Sequence, residues 1–439
     1  MPLARRYPPF LFALTFVLLA AAQLRGQEEE VPADKVFASV PFDLWVKQGP
    51  AAAIPWKVHI EPYGLSLHQR MRAHIEIELR RRDLINRKAE DRVLALLQVT
   101  DPAGEKFRDY VLFRMKDVGA GINKGEIDLF WDMYVLPSDY QVTVVLVDAA
   151  REQHNLMQGH LRIEPPKNDP LPGMWLGLPM VEFLAPHMEG PDGMFRPDIK
   201  TRLHLPLATQ HPVELDVLAD VTASDLFHGS TWFYNHYLAV ALPLLKALSQ
   251  VNLEHGSINV AMLDLRKHAV TFEEDNVKEL DWTRAKAVLA PANGPATIDI
   301  KALEQKRESP AFLQDELLRR LSSTPVAQKV DASGGSSPDL QPGGDSANAH
   351  GEPLHVFVII GSPMDFYSFR DLPHLPPGSE EKCVVYYLQF ELLNPAYADG
   401  AIGNVRKMLK PLTVHVFKVR SAESVRHALA KIMEEVSTM

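Results

Sequence analysis

Apolar and polar residues alternate through Ala73-His74-Ile75-Glu76-Ile77-Glu78-Leu79, which places Ile75, Ile77 and Leu79 on one face of a strand. Val93 to Val99 is a more apolar strand, ended by the turn residues Asp101-Pro102-Ala103-Gly104. Further short strands are predicted at Tyr110 to Met115, Gly125 to Val135, Tyr140 to Asp148 and Gly159 to Ile163. Close spacing without helical periodicity predicts an antiparallel β-sandwich over 56–165. The proline-rich stretch 166–212 reads as an ordered connector, with an extra edge strand near Arg202 to Leu207.

From Val213 the pattern changes. Apolar strands at Val213 to Ala219, Val260 to Leu265, Val356 to Ile360, Val384 to Leu388 and Val414 to Val419 alternate with amphipathic helices. A shorter strand, Ala269 to Phe272, is expected to pair with the second of them. The helices are predicted at Tyr234 to Ser249, at Phe312 to Leu321 with Ser309 as N-cap and Pro310 at the first position, and after Ser421. Pro243 should kink the first of these. The pattern predicts a doubly wound α/β domain over 213–439. Within it, 322–353 is rich in Gly, Ser, Pro, Asp and Asn, and is expected to be a disordered insert.

The first 26 residues have the form of a secretory signal peptide: Arg5 and Arg6, an apolar run from Phe10 to Ala22, then small residues suited to cleavage. The run is shorter than the roughly 20 residues that a transmembrane helix needs. The mature chain is thus expected to be secreted or periplasmic and to carry no membrane helix. Residues 27–55 form an N-terminal segment that opens on Glu28, Glu29 and Glu30. The net charge of −10 argues against nucleic acid as a partner. The one cysteine, Cys383, lies in an apolar strand and reads as a buried, inert thiol.

Candidate chemistry gathers where the first α/β strand ends. Asp220-x-Thr222-x-Ser224 resembles the Asp-x-Ser-x-Ser motif of von Willebrand factor A domains. Leu136-Pro137-Ser138-Asp139-Tyr140 resembles a hairpin of immunoglobulin-like or fibronectin-like modules. Together with the leader, these features resemble secreted proteins of the acidobacterial type. The first resemblance implies a metal-ion-dependent adhesion site, in which carboxylate and hydroxyl oxygens hold a cation such as Mg²⁺. It also implies a threonine on a later loop, for which Thr297 is the candidate, and a further aspartate after the fourth strand. In this sequence Ser362 occupies that last place, and Asp365 is displaced beyond Pro363. The sequence therefore predicts a degenerate site with no cofactor, or with a weakly held divalent cation. The plain alternative is that Asp220 and Thr222 hydrogen-bond a strand-to-loop turn.

The sequence contains no zinc-protease, Walker, dinucleotide or nucleophile-elbow motif, and no catalytic residue is assigned. The expected function is adhesion-type binding of a protein partner in the envelope or outside the cell. The alternatives are a hydrolase acting near Asp220 and Ser362, and a structural part of an envelope assembly. The aromatic residues Phe227, Trp232, Phe233, Tyr234 and Tyr237 border the motif, as helix core or as the rim of a binding surface. Export is checked by N-terminal sequencing of the mature protein: cleavage after Ala22 or Gly26 is expected, and an intact Met1 in the envelope fraction would overturn it.

Overall fold

A computed structural model describes residues 31–80, 91–114, 125–185, 196, 198–222, 231–289, 308–322, 353–361, 375, 383–390 and 404–439. Apart from Ser322 and Pro353, the expected insert 322–353 lies outside these residues, as does the leader. The chain is multidomain and β-rich. It divides into two compact units, one comprising 1–64, 70–166 and 179–187, the other 65–69, 167–178 and 188–439.

The first unit opens with two short helices, α1 (Ala33–Ala38) and α2 (Phe42–Gln48), and a two-residue strand β1 (Ala51–Ala52). There follow β2 (Trp56–Leu65), β3 (Met71–Arg80), β4 (Arg92–Thr100), β5 (Lys106–Arg114), β6 (Glu126–Val135), β7 (Ser138–Asp148), β8 (Gln153–Ile163) and β9 (Val181–Phe183). They form two sheets, ordered β1-β8-β7-β4-β5 and β2-β3-β6-β9. The pairs β1–β8, β8–β7, β7–β4 and β4–β5 of the one and β3–β6 and β6–β9 of the other are antiparallel.

The alternation in β3 is realised residue by residue: Met71, Ala73, Ile75, Ile77 and Leu79 are buried, and the polar residues between them are half-exposed. Strand β4 is apolar for a different reason. Helices α1 and α2 cover its second face, setting Phe37 and Phe42 against Leu96, Val145 and Leu156. Asn155, wholly buried, fastens the segment: its side chain accepts from Ile54 N at 2.8 Å and donates to Ile54 O at 2.6 Å, as a ladder partner would. Tyr140 turns back on its own strand entry, with its hydroxyl 2.7 Å from Leu136 O and 3.1 Å from Met180 O.

The second unit contains a parallel pair, β10 (Leu205–Leu207) with β12 (Val251–Leu253), which realises the extra strand expected near Arg202 to Leu207. Its main sheet is built from β11 (Val213–Asp220), β13 (Gly256–Asp264), β14 (Ala269–Glu274), β15 (Leu354–Gly361), β16 (Cys383–Phe390) and β17 (Thr413–Val419). The order is β14-β13-β11-β15-β16-β17. Every pair is parallel except β13 with β14.

Among the described residues, α3 (Thr231–Leu248), α4 (Trp282–Leu289), α5 (Ser309–Ser322) and α6 (Ala422–Ser437) accompany this sheet, with a further helical run at 404–408. Helix α3 continues across Pro243. Leu313 and Leu317 of α5 join one core cluster with Leu218, Phe357, Ile359, Val385 and Tyr387 from the sheet. The N-cap expected for α6 is present, with Ser421 and Ser424 forming a reciprocal capping box.

The connector residues 167–178 are held by α6. Arg426, only 1% exposed, pairs both oxygens of Asp169 at 2.5 and 2.8 Å, donates to Leu171 O at 2.8 Å, and lies 4.4 Å over the Trp175 ring. A charge so deeply buried is tolerated because every side of the guanidinium is matched. Removing it while keeping Asp169 should cost about 3–5 kcal/mol, the usual loss when one partner of a buried pair is deleted. Urea unfolding of Arg426→Met in the intact chain checks this; a midpoint unchanged from wild type would refute the role of the clasp.

Candidate functional site

Strand β11 is an apolar central strand that carries acids on one side. Glu214, Asp216, Leu218 and Asp220 alternate onto the same face, the one on which Leu218 meets α5. Asp220 is the last residue of the strand and is 3% exposed, and Thr222 is 5% exposed.

The geometry at this end is a hydrogen-bonded relay. Asp220 Oδ1 accepts from Thr222 N at 3.0 Å, an Asx turn, and from Thr222 Oγ1 at 2.5 Å. The same Oγ1 accepts from Leu265 N at 2.7 Å, just beyond the end of β13. Leu265 O in turn accepts from Ser309 Oγ at 2.7 Å, in the first turn of α5. Ser309 was expected as an N-cap; it begins the helix instead and spends its hydroxyl proton on the neighbouring loop.

Of the residues singled out in the sequence, the structure brings Asp220 and Thr222 together. Ser224, Thr297, Asp365 and Ser362 lie outside the described residues, as do Phe227 and the side chains of Trp232, Phe233, Tyr234 and Tyr237. Asp220 and Thr222 by themselves do not make up the oxygen ligands that a hard cation takes. Thr222 Oγ1 has committed its proton and one lone pair, and Asp220 Oδ1 takes two hydrogen bonds. Among the described residues no group of three or more His, Cys, Asp or Glu is placed to hold a metal ion. What this pair does chemically is close a turn.

The other end of the same face carries a cluster that periodicity alone had not suggested. Arg320, in the last turn of α5, donates to Asp216 Oδ1 at 2.9 Å, to Glu316 Oε1 at 2.7 Å and to Glu273 Oε1 at 2.6 Å. Asn259 Nδ2 donates to the same Asp216 oxygen at 3.2 Å. His355 Nδ1 stands 3.3 Å from Glu214 Oε2 and 3.9 Å from Asp216 Oδ2. The signal was present in the sequence as acids inside an apolar strand, which require buried partners.

Cys383 is buried, and burial pushes its thiol up to about 12, which disfavours the thiolate that a nucleophile needs. Among the described residues no helix is long and apolar enough to cross a membrane.

Burial raises the Glu214 carboxyl above its ordinary 4.5; the charges of Asp216 and Asp275 add to this, and His355 opposes it. The folded state therefore holds this proton more tightly than the unfolded chain does. The contribution of Glu214 to stability falls as pH rises above about 4.5. Glu214→Gln should accordingly raise the melting midpoint at pH 7 and leave it unchanged near pH 4. Thermal melts at the two pH values test this; an equal effect at both would contradict it.

No family model matches the sequence, and no curated protein matches it. Solved structures overlap it only faintly. A variant of the PilB minor pilin from Streptococcus sanguinis is 7% identical, with a TM-score of 0.27 over 78% of this chain and 87% of that one. The ApaA protein from Bordetella pertussis is 9% identical, with a TM-score of 0.17 over 27% of this chain and 100% of its own. A family 2 glycosyl hydrolase from Bacteroides cellulosilyticus is 8% identical, with a TM-score of 0.17 over 87% of this chain and 49% of that one. Overlaps so slight assign neither a fold nor an activity to this protein.

Proposed function

We propose that the chain is an exported protein–protein binding module, secreted or periplasmic, in which an immunoglobulin-like or fibronectin-like sandwich precedes a doubly wound, von Willebrand factor A-like domain. The observation that carries this reading is the strand order of the larger sheet. Numbered along the chain, its strands run 3-2-1-4-5-6 with the third antiparallel. The order reverses between β11 and β15, and open α/β sheets take their ligands in the crevice at the carboxyl ends of such strands. Those ends are Asp220 and Gly361. The core cluster between α5 and one face of the sheet supports the same fold.

For the first domain, the support comes from two places. Consecutive strands β3 and β4 lie in different sheets, as do β5 and β6, so the chain crosses between two sheets as it does in a sandwich. Tyr140 bonds back to Leu136, four residues upstream, in the manner of the tyrosine corner of such sandwiches. The leader, with its short apolar run, supports export.

Cross-linking of the intact protein in envelope extract, followed by mapping of the linked peptides, tests the reading. The links are expected in the segments that follow Asp220 and Gly361, and Ser362→Arg should abolish them at an unchanged melting midpoint. Links confined to 31–163 would overturn the placement. Hydrolysis of a model ester that Ser362→Ala abolishes would instead establish the hydrolase.

A further inference from the structure

We infer that Asp220, Thr222, Leu265 and Ser309 form one latch, which locks the first turn of α5 and the loop after β13 onto the end of β11, and that recognition at this sheet end proceeds without a bridging cation. The inference deepens the binding reading above and rests on it for the word recognition alone; the latch itself is a property of the free chain.

Three features carry it. First, the bonds converge on one residue: Ser309 Oγ donates to Leu265 O, Leu265 N donates to Thr222 Oγ1, and Thr222 donates to Asp220 through both its amide and its hydroxyl. The two bonds on Leu265 fall on different peptide groups, so they are coupled through the position of its backbone, and the loss of one loosens the other. Second, all four residues are buried, Leu265 and Ser309 at 2% exposure each. Their polar groups thus have no water to fall back on, and a broken link leaves an unsatisfied donor or acceptor.

Third, the latch absorbs two residues whose sequence context promised other work. A hydroxyl that would ligate a cation, Thr222, holds a backbone amide; a hydroxyl that would cap a helix, Ser309, holds a backbone carbonyl. Asp220 and Thr222 have the spacing of a cation site and the bonding of a structural joint. Its effect is to fix where α5 starts relative to the strand ends β11 and β13, and so to preset the sheet end before any partner arrives.

The test needs no partner, which separates its failure from that of the binding reading. Melting midpoints of the full chain are measured for Thr222→Val, Ser309→Ala and the double variant, with Thr222→Ser as the control that keeps the hydroxyl. Each single loss should lower the midpoint by roughly 2–8 °C. The double variant should lose less than the sum of the two, and Thr222→Ser should stay within about 2 °C of wild type. Calorimetric titration of wild type with Mg²⁺, Mn²⁺ or Ca²⁺ alone should show no saturable heat, and none of the three should shift the midpoint. Strict additivity of the two losses would break the latch into unrelated bonds. A saturable isotherm that Asp220→Asn abolishes would restore the cation site and overturn the inference.

Discussion

A carboxylate taken out of water must be matched by charge or hydrogen bonds, and the central strand of the larger sheet buries two of them, Asp216 and Asp220, at 1% and 3% exposure. The architecture around β11 follows from that demand. Asp216 is met by Arg320 and Asn259, and Asp220 by Thr222, which is itself held by Leu265. Arg320 and Ser309 lie at opposite ends of α5. The helix is therefore pinned to β11 at one end and to the loop after β13 at the other, while Leu313 and Leu317 fill the apolar interval between the pins. Apolar packing alone would let such a helix slide or rotate; the polar pins set its register. Whether they add net stability over an all-apolar face is a separate matter, since buried ion pairs often only break even.

The same logic recurs elsewhere in the chain. Arg426 on α6 collects Asp169, Leu171 O and the Trp175 ring, which turns a proline-rich connector into part of the second unit's interior. Asn155 does for the N-terminal segment what a ladder strand would do, with one amide side chain paired to both backbone groups of Ile54. In each case a short stretch is fastened by a single polar residue on a well-packed element. That economy suits a chain whose one cysteine is a buried free thiol.

For the binding reading, the consequence is a sheet end whose starting geometry is fixed in advance. The relay from Asp220 to Ser309 ties together the ends of two parallel strands and the entry to a helix, the place where open α/β sheets present their ligand-binding loops. A preset surface loses less freedom on binding than one that must be ordered by its partner.

The sequence by itself determined many of the elements, though not α1, α2 or α4. Period-two alternation placed β3, apolar runs placed β11, β15, β16 and β17, and Ser421 placed the start of α6, because each of these signals is written within a few neighbouring residues. It also located the residues at the end of β11 where chemistry was worth seeking. It did not decide what those residues do. The bonds that define Thr222 and Ser309 reach 43 and 44 residues along the chain to Leu265, and Arg320 reaches 104 to Asp216. Nor did it decide that α1 and α2 cover the second face of β4, since the apolar residues of two such short helices give no local sign of which strand they will meet. A hydroxyl at the spacing of a metal ligand is equally a hydroxyl within reach of a distant amide, and only the tertiary structure could show that the amide of Leu265 lies 2.7 Å from it.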